Sequence, residues 1–250
     1  MPDSTVPLSM SDESKASPDM GGPWDIATFV SESSHDLKTP LAAISGYVAT
    51  LLRRGDSIDP GLQRDILQHV ADAAARLSEA IEQLVDLARL SLGQFDPTIS
   101  AVRLAEAVED AVSSAKGSHP EAEIQHVSDL EGDVAVLADR GLLLRALRTL
   151  IENGLRHGSG MVRIEVGAEA ETGWVRVRDG GAGVPDELVP YLFSADLAGR
   201  PRQGQPRGLG IALHNAAAFM RLCGGSVELE EPRGTGKFSG ATFRLSAQRA

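Results

Sequence analysis

The 250-residue chain carries 24 Lys and Arg against 35 Asp and Glu, a formal net charge of −11, and 42% of its residues are hydrophobic. That is enough for two modest domains, each with its own core, while an acidic surface without a basic stripe excludes nucleic acid as an expected partner. Cys223 is the only cysteine, which excludes a disulfide framework or a cysteine-based metal site. No apolar run reaches the roughly 20 residues of a membrane span, so a soluble, cytoplasmic chain is expected.

Residues 1–22 are rich in Ser, Asp, Pro and Gly and have little to bury, so they are expected to form a disordered tail. No sensor module precedes the first helix on this reading, and input is expected from a separate sensory protein. Residues 23–93 read as a helical hairpin. Its first helix, Trp24 to about Arg54, places Leu37, Leu41, Ile44, Val48 and Leu51 at coiled-coil spacing. The segment 55–60 (GDSIDP) breaks it, and a second seam runs through Ile66, Val70, Ala73, Leu77, Ile81, Leu84 and Ala88 to a stop at Gly93. Two such helices, each roughly 45 Å long, expose more seam than one hairpin hides, which predicts a homodimer with a four-helix bundle.

After a linker at 94–100 (QFDPTIS), on which the two parts are expected to swing, residues 101–250 alternate β-rich runs with helical ones. The strands are expected at 123–129, 133–139, 161–168, 173–179, 226–231 and 241–247, and the helices at 104–116, 141–157 and 209–222. The fold class is therefore α+β: a helical hairpin followed by an α/β sandwich, one sheet under several helices.

On the first helix His35 precedes the seam residue Leu37 by two positions, which rotates it by about 200° onto the solvent side. Pro40 leaves the carbonyl of Asp36 without its helical donor, which predicts a bend beside the imidazole. Neutral histidine has a ring lone pair able to attack phosphorus, Asp36 is placed to accept the other ring N–H, and Thr39 shares the face of His35 one turn on. A lone histidine on a solvated helix carries no function by itself. The stretch from His35 to Pro40 closely resembles the H box of HisKA-type sensor histidine kinases, here His35, Asp36, Lys38, Thr39 and Pro40. The resemblance implies that His35 is the phosphoacceptor, that Asp36 assists transfer, and that Thr39 with Asp36 serves dephosphorylation of the partner.

Three later segments look able to bind the phosphoryl donor. Asn153, Arg156 and His157 lie three and four apart late in a helix, offering an amide oxygen for magnesium and a guanidinium for phosphate. Asp179, Gly181 and Gly183 end a strand, where a carboxylate accepts from an exocyclic amine and glycines allow close approach. Gly208, Leu209 and Gly210 open a helix whose free N–H groups suit phosphates. In this order the segments resemble the N box and the two glycine boxes of the GHKL ATPases, with Phe193 matching the F box between them and 194–207 as a lid over ATP.

The resemblance implies ATP and Mg2+ as cofactors, with Asn153 on the metal and Asp179 on adenine. It also implies a cognate response regulator as partner. In this chain Thr149 and Gly154 depart from the usual N box, Arg156 and His157 stand for a Lys and aromatic pair, and Pro206 replaces the first glycine of the second box. Those departures motivate two alternatives, a phosphotransfer scaffold and a phosphatase-dominant protein with weakened ATP binding. A third alternative has Glu152, next to Asn153, acting as the base of a plain ATPase.

Overall fold

A computed structural model describes the backbone of residues 26–128, 134–194 and 209–250, and their side chains except at 26–36, 56 and 128. Two antiparallel helices come first, α1 (Ile26–Arg54) and α2 (Pro60–Ser91), joined through a single 3-10 turn at Gly55–Ser57. Asp59 caps α2 by accepting from the N–H groups of Gly61 and Leu62 at 2.9 and 3.2 Å, and Pro60 follows at the first helical position, where its missing N–H has no cost. Helix α1 continues through Pro40. The two helices meet along part of the expected seams, with Ile66 and Ala73 buried; Leu87, outside the expected seam, is buried against Leu209 and Ile211, while the seam residues Leu41 and Ile81, with Leu67 and Val85, stay about half exposed (52, 49, 51 and 50%). No helix among the described residues is long and apolar enough to cross a membrane.

The rest of the chain forms β1 (Ser100–Arg103), α3 (Leu104–Ser118), β2 (Glu123–Ser128), β3 (Ala135–Ala138), α4 (Arg140–His157), β4 (Met161–Ala168), β5 (Thr172–Asp179), α5 (Ala212–Leu222), β6 (Ser226–Glu231) and β7 (Thr242–Gln248). A five-stranded sheet in the order β2-β4-β5-β7-β6 is antiparallel except for the β2–β4 pair, and β1 pairs with β3 in a small second sheet. Strands β4 and β5 alternate buried and half-buried residues along their length, so one face packs inward. That inner face, with Ile164, Val175, Val177 and Leu245, meets Leu143, Leu147, Leu150 and Ile151 of α4, Val108 of α3 and Phe219 of α5 in one core. The outer face carries charge instead: Arg176 stacks on Trp174 at 4.2 Å and bonds both carboxylate oxygens of Glu230 at 2.5 Å.

The segment read as a swinging linker is tied down over most of its length. Phe95 packs edge-on to Phe219 (5.4 Å between centroids), and the Thr98 N–H donates to Asp139 Oδ2 at 2.9 Å. Phe95 and, from the end of α2, Leu90 both pack on the core of the α/β half, while Gly93, at φ +62°, closes α2 with its N–H donating to the Leu90 carbonyl at 3.1 Å.

Candidate active site

The site is built where α4 ends against the end of β5. Gly154 lets α4 approach the sheet, since a Cβ there would sit 2.6 Å from Val162 Cγ1, which accounts for glycine at a place where the resemblance leads one to expect alanine. From the last turns of α4, Asn153, Arg156 and His157 face one cleft. Asp179, the last residue of β5, forms its floor and is 4% exposed. Its Oδ1 accepts from the Gly181 N–H at 2.8 Å and its Oδ2 from the Ala241 N–H at 3.2 Å. Burial pushes the Asp179 carboxyl above the usual carboxylate range, a shift partly offset by those two N–H donors. Held this way, the carboxylate is an oriented acceptor in a dry corner.

The walls beside it are apolar: Val184, Pro185, Leu188, Leu192, Leu213 and Phe243 line the cleft together with Gly183. A flat, weakly polar ring with one exocyclic amine suits such walls over such a floor. Leu209 and Gly210 close another side, with Gly210 at φ +75° and α5 starting only at Ala212. The last wall comes from the hairpin, where Gln83 of α2 lines the same cleft.

Not every expected residue reaches this space. Gly181 touches it only through its bond to Asp179, because its own Cα stands against the main chain of His157. Phe193 lies behind the wall, edge-on to Phe243 at 6.3 Å, and its carbonyl is bonded to His214 Nδ1 at 3.0 Å. Gly208, Pro206 and most of the expected lid (195–207) lie outside the described residues, as does the tail. His35 and Asp36 belong to α1, but their side chains also lie outside the described residues, whereas Thr39 is exposed on that helix. Glu152 is directed elsewhere: its Oε2 pairs with His119 Nε2 at 2.9 Å, so it does not line the cleft as a water-activating base would.

Residues 25–93 match the family model of the His Kinase A (phospho-acceptor) domain, and residues 138–249 that of the histidine kinase-, DNA gyrase B- and HSP90-like ATPases. The chain belongs to the HisKA-type sensor histidine kinases. Among curated relatives of this histidine kinase are the sensor protein KdpD of Mycobacterium tuberculosis (strain CDC 1551 / Oshkosh) and the sensor-like histidine kinase SenX3 of Mycolicibacterium smegmatis. KdpD is 32% identical over 213 residues, 84% of this chain and 25% of that protein. SenX3 is 30% identical over 225 residues, 87% of this chain and 56% of that protein. The chain thus spans between a quarter and about half of these relatives. The histidine kinase ThkA, solved in complex with response regulator protein TrrA, shares the fold at a TM-score of 0.66 and 16% identity, over 90% of this chain and 62% of that one.

Besides the apolar wall residues, sequence reasoning missed Gln83, the Ala241 N–H, and Gly240, whose hydrogen atoms make room for the Asp179 carboxylate. None sits in a motif. Only the short Gly-rich stretch before β7 hinted that backbone approaches something closely there.

Proposed function

We propose that this chain phosphorylates its own His35 from ATP and passes the phosphoryl group to an aspartate of a response regulator, working as a homodimer. The observation that carries the reading is the presence, in one chain, of a phosphoacceptor hairpin and a cleft in which Asn153, Arg156 and His157 look across an oriented Asp179. Asp179 accepts from the adenine amine, the apolar walls hold the ring, and Arg156 meets phosphate oxygens. A ring nitrogen of His35 attacks the γ-phosphorus, the bond to the β–γ bridging oxygen breaks, ADP leaves with that electron pair, and Asp36 stabilises the imidazolium.

Among the described residues no three His, Cys, Asp or Glu side chains form a metal cluster. A magnesium ion brought in with the nucleotide would take the amide oxygen of Asn153, which faces the cleft, as a protein ligand. When bound, such an ion neutralises charge on the phosphates.

The half-exposed Leu41, Leu67, Ile81 and Val85 support the dimer, since a second hairpin covers apolar surface that one leaves in water. ThkA was solved with a response regulator, and a partner of that class is proposed here. Thr39, exposed on α1, is proposed to hold the water that dephosphorylates that partner. The test is incubation with magnesium and γ-labelled ATP. Acid-labile, base-stable label on wild type that His35→Gln and Asn153→Ala both abolish establishes the kinase; an unlabelled wild type that still accepts phosphate from a phosphorylated regulator makes it a scaffold.

A further inference from the structure

A line of contacts holds the α/β half against α2. Arg156 Nη2 donates to both carboxylate oxygens of Glu79, at 2.9 and 2.7 Å, and Gln83 Nε2 donates to the same carboxylate at 2.9 Å. Farther along α2, Asp86 pairs with Arg145, and the main-chain carbonyl of Gln83 accepts from Asn215 Nδ2 at 2.8 Å. Leu209 and Ile211 fill the gap against Leu87. These contacts sit level with the phosphoacceptor. The Tyr47–His69 ring contact (5.4 Å) sets the register of the hairpin, so moving about twelve residues along each helix brings His35 opposite Ile81, within one turn of Glu79.

Arg156 belongs both to this interface and to the cleft. One positive charge therefore faces two anions, a carboxylate on the hairpin and, on the reading above, the phosphates of a nucleotide. The guanidinium has N–H groups to spare, but a carboxylate and a polyphosphate gathered around a single cation repel each other across it. The carboxylate is the weaker claimant. Both side chains of the pair are about a third exposed (32 and 38%), where an ion pair is worth little, whereas phosphate is a stronger, multiply charged acceptor.

We propose that the Glu79–Arg156 pair is a latch that nucleotide phosphates release. Triphosphate binding draws Arg156 from Glu79 and loosens the docked domain, with Phe95 travelling on it through its contact with Phe219; by linkage, docking weakens triphosphate binding by the same factor. This inference rests on the cleft being the ATP site, and it adds a residue of the hairpin, Glu79, that sets how tightly ATP is held before any chemistry.

The experiment is calorimetric titration of the full chain in a His35→Gln background, with ATP and with adenosine, comparing Glu79, Glu79→Gln and Glu82→Gln. Glu82 is an exposed acid on the same helix and controls for net charge. The latch predicts that Glu79→Gln binds ATP roughly two- to fivefold more tightly, that adenosine affinity is unchanged, and that Glu82→Gln behaves as the parent. Equal ATP affinity in all three, or a gain for adenosine as large as that for ATP, overturns it. If the parent binds neither ligand, the ATP-site reading fails first and the latch falls with it.

Discussion

Replacing Gly240 with alanine adds one methyl group at the point where the chain passes Asp179. Its Cβ would lie 1.7 Å from Asp179 Oδ1, 2.6 Å from Cγ and 2.7 Å from the Gly181 nitrogen, distances no real contact tolerates. Gly240 is not among the glycines with positive φ, so the obstacle is space and not backbone conformation. The carboxylate must swing away, and it cannot do so while accepting from both Gly181 and Ala241. Overpacking of this kind costs about 1–3 kcal/mol of stability. Loss of the oriented acceptor costs a further hydrogen bond to the base, about 1.5 kcal/mol or somewhat more, which is at least tenfold in affinity. Adenosine titration, paired with urea unfolding to confirm a folded protein, reads both quantities. The control is Gly117→Ala on α3, where a Cβ meets nothing within 4 Å; it should raise stability slightly and leave binding alone. A folded Gly240→Ala protein that binds adenosine as tightly as wild type would refute the role given to Asp179.

Three more outcomes follow from the same corner. Because burial raises the Asp179 carboxyl, adenosine affinity should fall on acidification at a pH above the usual carboxylate range, and Asp179→Asn should flatten that profile. The sign for stability is opposite: a folded-state pKa above the unfolded one stabilises the protein below the unfolded pKa, and this contribution disappears as pH rises through the folded pKa. Urea unfolding of wild type should therefore lose that increment across this window while Asp179→Asn does not. Gly154→Ala should destabilise by about 1–3 kcal/mol through its clash with Val162 Cγ1, and Val162→Ala should recover part of the loss in the double mutant, as measured by urea unfolding.

Much of the fold is legible in local pattern. Strands β4 to β7 alternate strictly enough that their expected and observed limits agree within a residue or so, and the hairpin seams carry their own spacing. Strand β1 was not legible, because Ser100–Arg103 buries only Val102 and finds its partner β3 across an intervening helix. Helix α5 starts three residues later than expected, since Gly210 takes a left-handed φ while Leu209 and Ile211 turn their side chains into the hairpin. In the cleft, spacing within α4 brought Asn153, Arg156 and His157 together, and the strand end marked Asp179. What spacing could not give was anything delivered from a distant element: Gln83 from α2, Gly240 before β7, and the carboxylate of Glu79 that holds Arg156. A short-range pattern says which face a residue takes and is silent on what arrives at that face.

Asn215 tests whether the docked arrangement is meant to be left. It is 3% exposed, spends Nδ2 on the Gln83 carbonyl, and leaves Oδ1 without a partner among the described residues. An orphaned acceptor of this kind costs about 1–3 kcal/mol, more than the single hydrogen bond returns at about 0.5–1.5 kcal/mol. When the domain swings away from α2 the amide regains water and the cost vanishes, so asparagine here favours release. Leucine, branched at the same carbon though bulkier, removes the orphan and buries apolar surface against α2, shifting the balance toward docking by about 1 kcal/mol. On the latch argument, Asn215→Leu should therefore bind ATP and label His35 about fivefold more slowly or weakly than wild type, the opposite sign to Glu79→Gln, with unfolding stability equal or higher. A stable Asn215→Leu protein that labels as fast as wild type would mean that docking and phosphorylation are not in competition.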